Sequence, residues 1–134
     1  MSETVKHHLT DQLLMSYAAG TLPEAFNLVV ATHVSLCDEA RARLHDFEAV
    51  GGAVLSETEE VELSDGALEA TLKLISTRAK DPIKTERVSK GIFPTPLQDY
   101  VGGDVDAVKW RRVGGGVKQA ILKTSDDANV RLLY

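Results

Sequence analysis

The sequence predicts a mainly α-helical first part with four helices, followed by a linker and an incomplete antiparallel β segment. In residues 1–80 the apolar side chains recur every three or four positions, the period of a helix with one buried face. From about residue 97 they alternate with period two, and glycines separate the alternating stretches. We therefore expect a helical domain at 1–80, a linker at 81–96 and a β segment at 97–134.

The first two helices are predicted by their start signals. Thr10 is a good N-cap for the first helix, and Gly20 stops that helix. Thr21, followed three residues later by Glu24, has the form of a capping box. The second helix is then expected to run to about Cys37.

The third helix is expected to open at Cys37 or Asp38 and to run to near Leu55. An acidic connection follows at 57–62, and Ser64 is a suitable N-cap for a fourth helix. The apolar residues of that helix lie at i, i+4 and i+7 and are Leu68, Leu72 and Ile75. Such a stripe is more often ordinary core than a partner surface, so both interpretations stay open at this point.

The linker and the β segment are recognised by composition and period. Three prolines and scattered charge mark 81–96 as a linker, and strands are expected at 105–113, 117–122 and 129–134. Trp110 is expected in the core of the sheet. Three strands are too few to close a sheet or barrel, which suggests a sequence that stops short or a β unit completed from outside.

Residues that bind transition metals are concentrated in the first part of the chain. His33 and Cys37 are four residues apart, so on a helix they lie on one face and supply half of a tetrahedral zinc site. His7 or His8 offers a second imidazole near the N-terminus. A fourth ligand is expected three residues after the cysteine, but that position holds Ala40. The sequence therefore predicts three zinc ligands and no fourth ligand at position 40.

The charge of the chain is uneven and bears on its partners. Residues 1–80 carry 6 Lys/Arg and 13 Asp/Glu, a net charge of −7, whereas residues 81–134 carry 9 and 7, a net charge of +2. The acidic part argues against direct binding to nucleic acid, because phosphates are neutralised by clustered Lys and Arg. It would suit a basic protein partner, although a solvated acidic surface is the simplest interpretation.

The composition also bears on the compartment. No apolar run approaches the ~20 residues that span a bilayer, so no membrane association is expected. The first residues lack the pattern of a signal peptide, and we expect a cytoplasmic protein. The only cysteine in the chain is Cys37, so an internal disulfide is excluded.

Several stretches together match one family, most closely within the first 55 residues. They are His7-His8, Tyr17 to Leu22, Leu28 to Glu39, Val50 to Gly52, Asp99 to Gly102, Gly114 to Val117 and Gln119 to Leu122. On these residues the chain resembles the zinc-binding anti-sigma factors of the ChrR type. The zinc motif of that family is a histidine followed by His-x₃-Cys-x₂-Cys; His8, His33 and Cys37 match it, and Ala40 does not.

The resemblance implies a regulator and not an enzyme. Its helical domain would bind an extracytoplasmic-function sigma factor, block access to core RNA polymerase, and release sigma under oxidative stress such as singlet oxygen. It further implies a zinc site, at which zinc binding is weak or absent because Ala40 replaces the fourth ligand. It also implies a cupin domain that begins near residue 97. The residues then expected to face the sigma factor are Leu13, Tyr17, Leu68, Leu72 and Ile75.

Two other functions remain open from the residues themselves. The chain could be part of a metal-dependent cupin enzyme with a helical extension, but residues 97–134 contain no His or Cys and no clustered carboxylates. It could instead be a redox switch at Cys37, although a lone thiol forms only mixed or intermolecular disulfides.

Overall fold

The computed structural model describes residues 7–78, 91–125 and 128–134. In these residues five α-helices precede a 3₁₀ turn and a three-stranded antiparallel sheet. The helices are α1 Asp11–Ala18, α2 Glu24–Leu36, α3 Asp38–Ser56, α4 Ala67–Arg78 and α5 Thr95–Val101, and the strands are β1 Arg111–Gly114, β2 Val117–Leu122 and β3 Val130–Leu133. The predicted fold class is confirmed.

The first three helices share one small core. Leu14 of α1, Val30 of α2 and Leu44 of α3 are buried against one another, and Tyr17 and Phe47 pack around them. Burying such an aliphatic side chain contributes roughly 1.5–3 kcal/mol, so this contact stabilises the packing of the three helices.

The two predicted helix starts have different outcomes. Thr10 is the N-cap of α1, and its hydroxyl accepts a hydrogen bond from the backbone N–H of Leu13 at 3.3 Å, as predicted. The capping box at Thr21 and Glu24 was wrong, since no side chain caps α2. The Thr21 hydroxyl donates to the carbonyl of Ser16 instead. The Glu24 carboxylate accepts hydrogen bonds from Tyr100 and Ser125 of the β segment.

The fourth helix begins later than predicted. Ser64 does not cap it, because α4 starts at Ala67 after a turn that contains Gly66 with φ +81°. The backbone N–H of Ala67 donates to the carbonyl of Ser64 at 3.0 Å and closes that turn.

The segment before the sheet differs most from the prediction. Residues 81–90 of the predicted linker lie outside the described residues, while 95–101 form α5, which the prediction missed. Two of the three prolines that indicated a linker, Pro94 and Pro96, lie at the start of this helix, where their fixed φ is tolerated. The strand predicted at 105–113 was wrong in its first part, because Val105–Ala107 is a 3₁₀ turn.

The sheet has the order β1-β2-β3, with antiparallel neighbours. The second predicted strand coincides with β2, and the third contains β3. Trp110 was expected in the sheet core but lies just before β1, half-buried, with its ring 5.6 Å from that of Tyr134.

A second core joins the sheet to the helical part. Leu28 of α2, Leu97 of α5 and Leu122 of β2 are buried together. The side of α2 opposite the first core is therefore covered by the β segment. The division into domains at 1–80, 81–96 and 97–134 stays a prediction.

Candidate metal centre and partner surface

The three predicted metal ligands meet in space. The candidate ligand atoms of His8, His33 and Cys37 all lie within 4.8 Å of one another, and Cys37 Sγ is 3.9 Å from His8 Nδ1. Tetrahedral zinc with one nitrogen and one sulfur ligand would hold those two atoms about 3.6 Å apart. For this pair the observed spacing is close to the spacing that zinc requires.

The backbone places the cysteine differently from the prediction. His33 lies in the last turn of α2, but Cys37 is an extended residue (φ −123°, ψ 111°) in the joint between α2 and α3. Its N–H still donates to the carbonyl of His33 at 3.0 Å, which keeps the two residues one helical turn apart. Cys37 is also the N-cap of α3, so the sulfur lies at the start of that helix.

One imidazole atom has no hydrogen-bond partner. Among the described residues, His33 Nε2 is the one buried side-chain nitrogen or oxygen that lacks such a partner. Leaving a buried polar group unsatisfied costs about 1–3 kcal/mol, and a metal ion bound to this nitrogen would remove that cost. This orphaned atom on one of the three candidate ligands is independent support for a bound ligand.

The fourth coordination position has no protein ligand among the described residues. Ala40 is fully buried one turn along α3 from Cys37 and presents a methyl group. Asp38 is engaged by Arg41, whose guanidinium lies 2.6 Å away, and the Glu39 carboxylate lies 3.7 Å from His8 Nε2. Two imidazoles and a thiolate suit zinc, with water or a carboxylate completing the set.

The segment that carries His8 is held by α3. Arg43 Nη1 donates to the carbonyl of Leu9 at 3.2 Å, and the same guanidinium pairs with the Asp11 carboxylate. The hydrogen bond with Asp11 raises the pKa of Arg43 above its ordinary value. His45 is exposed beside Glu48 on the same helix.

The predicted partner residues fall into two groups. Leu68, Leu72 and Ile75 on α4 are 65%, 56% and 60% exposed, so the stripe is not covered by the described residues. On α1, Leu13 is half-buried and Tyr17 packs against the helical core. Within the described part of the chain, the interpretation of the α4 stripe as ordinary core is therefore wrong.

Sequence reasoning missed a further apolar surface beside the helical core. A groove of about 390 Å³ runs between α1 and α3, and its lining includes Met15, Phe47 and Val50. Met15 and Val50 are more than half exposed. The sequence signal was the spacing of Phe47, Val50 and Val54 on α3, but a core-facing helix has the same spacing.

Comparison with known proteins gives one consistent result. The chain is 50% identical over 131 residues to the anti-sigma-E factor ChrR of Cereibacter sphaeroides, an alignment that covers 98% of this chain and 61% of that protein. It also matches the crystal structure of Rhodobacter sphaeroides SigE in complex with the anti-sigma ChrR, with 48% identity and a TM-score of 0.78. That match covers 97% of this chain and 67% of the other.

Two searches gave negative results. No protein-family model matches the sequence. Within the described residues, no helix has the length and apolar character needed to cross a membrane.

Proposed function

Because the chain belongs to the family of ChrR-type anti-sigma factors, we propose that it binds an extracytoplasmic-function sigma factor and blocks access to core RNA polymerase. The similar crystal structure contains SigE bound to ChrR, which supports a partner of this class. The chain spans 61% of the length of the ChrR relative, so the proposal concerns the part that these residues provide. Membership of this family implies a regulator rather than an enzyme.

The observation that carries the proposal is the uncovered apolar face of α4. Leu68, Leu72 and Ile75 lie on one side of the helix, and each is more than half exposed. A helix of 12 residues gains most of its stability from packing its apolar face. Among the described residues, this face is largely exposed. A partner that covers the stripe would supply the missing apolar contact.

Charge supports a basic partner surface. The first 80 residues carry a net charge of −7, and a sigma factor needs basic surfaces to hold DNA. Complementary charge would speed association and suppress wrong partners, while the apolar stripe would supply most of the affinity.

The metal centre is proposed to hold zinc through His8, His33 and Cys37. The spacing of their ligand atoms, the orphaned nitrogen of His33 and the chemistry of the donor set support zinc. Bound zinc would tie the N-terminal segment to the joint between α2 and α3. The site would thereby stabilise the helical domain that binds the sigma factor.

Release under oxidative stress such as singlet oxygen is the response that the family resemblance implies for this chain. A reporter driven by the sigma factor, in cells exposed to a photosensitiser and light, tests it. Induction in cells that express this chain supports release, and an unchanged signal contradicts it.

Sigma binding is tested with Leu72→Asp and with Ala70→Asp as the matched control. The two positions are two residues apart and therefore about 200° apart around the helix, so only the first charge enters the stripe. We expect the full chain to bind purified SigE and inhibit its holoenzyme, with affinity lowered at least about tenfold by Leu72→Asp and little changed by Ala70→Asp. Equal affinity of both variants, or no binding by any form, would contradict the proposal.

A further inference from the structure

Two residues of α3 contact the segment that carries His8. Glu39 places a carboxylate oxygen 3.7 Å from His8 Nε2, the ring nitrogen that does not face Cys37. Arg43, one turn further along the same face, binds the Leu9 carbonyl and the Asp11 carboxylate. The two contacts bracket the ligand histidine on its outer side.

We propose that Glu39 and Arg43 form a clamp that positions His8 for metal binding in place of the missing fourth protein ligand. The inference rests on the proposed zinc site and adds two positioning residues to it. Arg43 fixes the backbone that follows His8, and Glu39 selects the ring orientation in which Nδ1 faces the Cys37 sulfur. Neither side chain is itself a ligand.

The chemistry of histidine ligands explains why such a clamp is useful. A ligand histidine usually gives its second ring N–H to a carboxylate, which fixes the tautomer and makes the other nitrogen a stronger ligand. The Glu39 contact is about 0.8 Å longer than an N–H···O hydrogen bond. Its side chain is 62% exposed, so it has room to approach as the imidazole binds a metal.

The clamp also compensates for a weakness specific to this chain. His8 lies at the start of the described residues, outside any helix, and its side chain is 34% exposed. With Ala40 instead of a fourth ligand, the metal contributes less to holding this segment in place. Contacts made by α3 itself hold it without any metal.

The matched control lies on the same helix. His45 Nδ1 and Glu48 form a second histidine–glutamate contact of 3.8 Å, with His45 exposed and away from the three ligands. Glu48→Ala thus removes a contact of the same type and length as Glu39→Ala removes. Circular dichroism and urea unfolding test whether each variant of the chain remains folded.

Zinc affinity of the full chain, measured by competition with a chelating indicator, is the first readout. We expect Glu39→Ala and Arg43→Ala to weaken zinc binding about 10–100-fold, Glu39→Gln to weaken it less, and Glu48→Ala to leave it unchanged. In a His8→Ala background the first two substitutions should have no further effect, since they act through that residue. Undiminished affinity in Glu39→Ala and Arg43→Ala would overturn the clamp.

Two spectroscopic readouts distinguish positioning of His8 by Glu39 from direct ligation of the metal. With cobalt in place of zinc, the absorption spectrum should keep its shape in Glu39→Gln; a changed spectrum would make Glu39 a direct ligand and contradict its positioning role. In the metal-free protein, ¹H–¹⁵N spectra should show the His8 proton on Nε2, and Glu39→Ala should reduce that tautomer. A metal-free tautomer insensitive to Glu39 would overturn the clamp even if the chain binds no metal at all.

Discussion

Position 40 carries a buried methyl group where the zinc motif of the family has a second cysteine. Ala40 is fully buried on α3, one turn beyond the candidate ligand Cys37. Structural zinc sites with a complete ligand set contribute an apparent ~10–16 kcal/mol in small zinc domains. If zinc binds as proposed, a site without that thiolate holds it less tightly, and helix packing supplies more of the stability.

The direct test of this position is Ala40→Cys. We expect it to raise zinc affinity by at least about a hundredfold and to slow stripping of the metal by chelator, because a thiolate would replace a weaker ligand such as water. Competition titrations on both forms provide the measurement. Equal affinities would mean that residue 40 does not face the metal.

At the scale of single elements, the start of α1 depends on the hydroxyl group of Thr10. Thr10 and Thr21 both have the sequence environment of an N-cap, yet only Thr10 accepts a backbone hydrogen bond at a helix start. The reason is that α2 starts at Glu24, beyond the reach of Thr21. A capping motif therefore forms a cap only where the helix begins directly after it.

Comparing Thr10→Ala with Thr21→Ala measures how much more the Thr10 hydroxyl contributes to stability than the Thr21 hydroxyl. Thr10→Ala should lower the free energy of unfolding by about 1 kcal/mol, because the N–H of Leu13 loses its acceptor. Thr21→Ala should cost less than about 0.5 kcal/mol, since its hydroxyl is exposed and only donates to a carbonyl. Urea unfolding of both variants distinguishes them, and equal losses would contradict the assignment of the caps.

At the scale of the whole molecule, Glu24 connects the helical part to the β segment. The N–H of Ser125 and the hydroxyl of Tyr100 both donate to its carboxylate, next to the apolar contact between Leu28 and Leu122. These hydrogen bonds, those from Ser125 first, lower the pKa of Glu24 from 4.5 to about 2. The connection therefore depends on an ionised carboxylate.

The sign of the resulting pH dependence follows from the direction of that shift. A carboxylate whose pKa is lower in the folded state stabilises the fold fully above its unfolded value near 4.5, and that contribution is lost as the pH falls towards 2. Wild-type stability should therefore fall more steeply than that of Glu24→Gln between pH 4.5 and 2. Urea midpoints measured across this range provide the test, and parallel curves would argue against the connection.

The local pattern of residues predicted much of the fold and of the candidate site. Helical period, the Thr10 cap and the Gly-rich turn between strands are short-range signals, and the structure confirms the elements that they predict. The three candidate ligands were found from residue type and spacing together with the family resemblance. Their meeting in space agrees with that prediction.

Contacts between distant residues were decided only by tertiary structure. Burial of Leu28 with Leu97 and Leu122 joins positions up to 94 residues apart, and the period of each element does not say which faces meet. The Glu24 carboxylate, expected in a capping box, instead accepts hydrogen bonds from Tyr100 and Ser125 of the β segment. Likewise, Glu39 meets His8 only because α3 runs beside the N-terminal segment. Which distant residues meet depends on the free energies of packing and hydrogen bonding summed over the folded chain. A local sequence pattern does not contain that information.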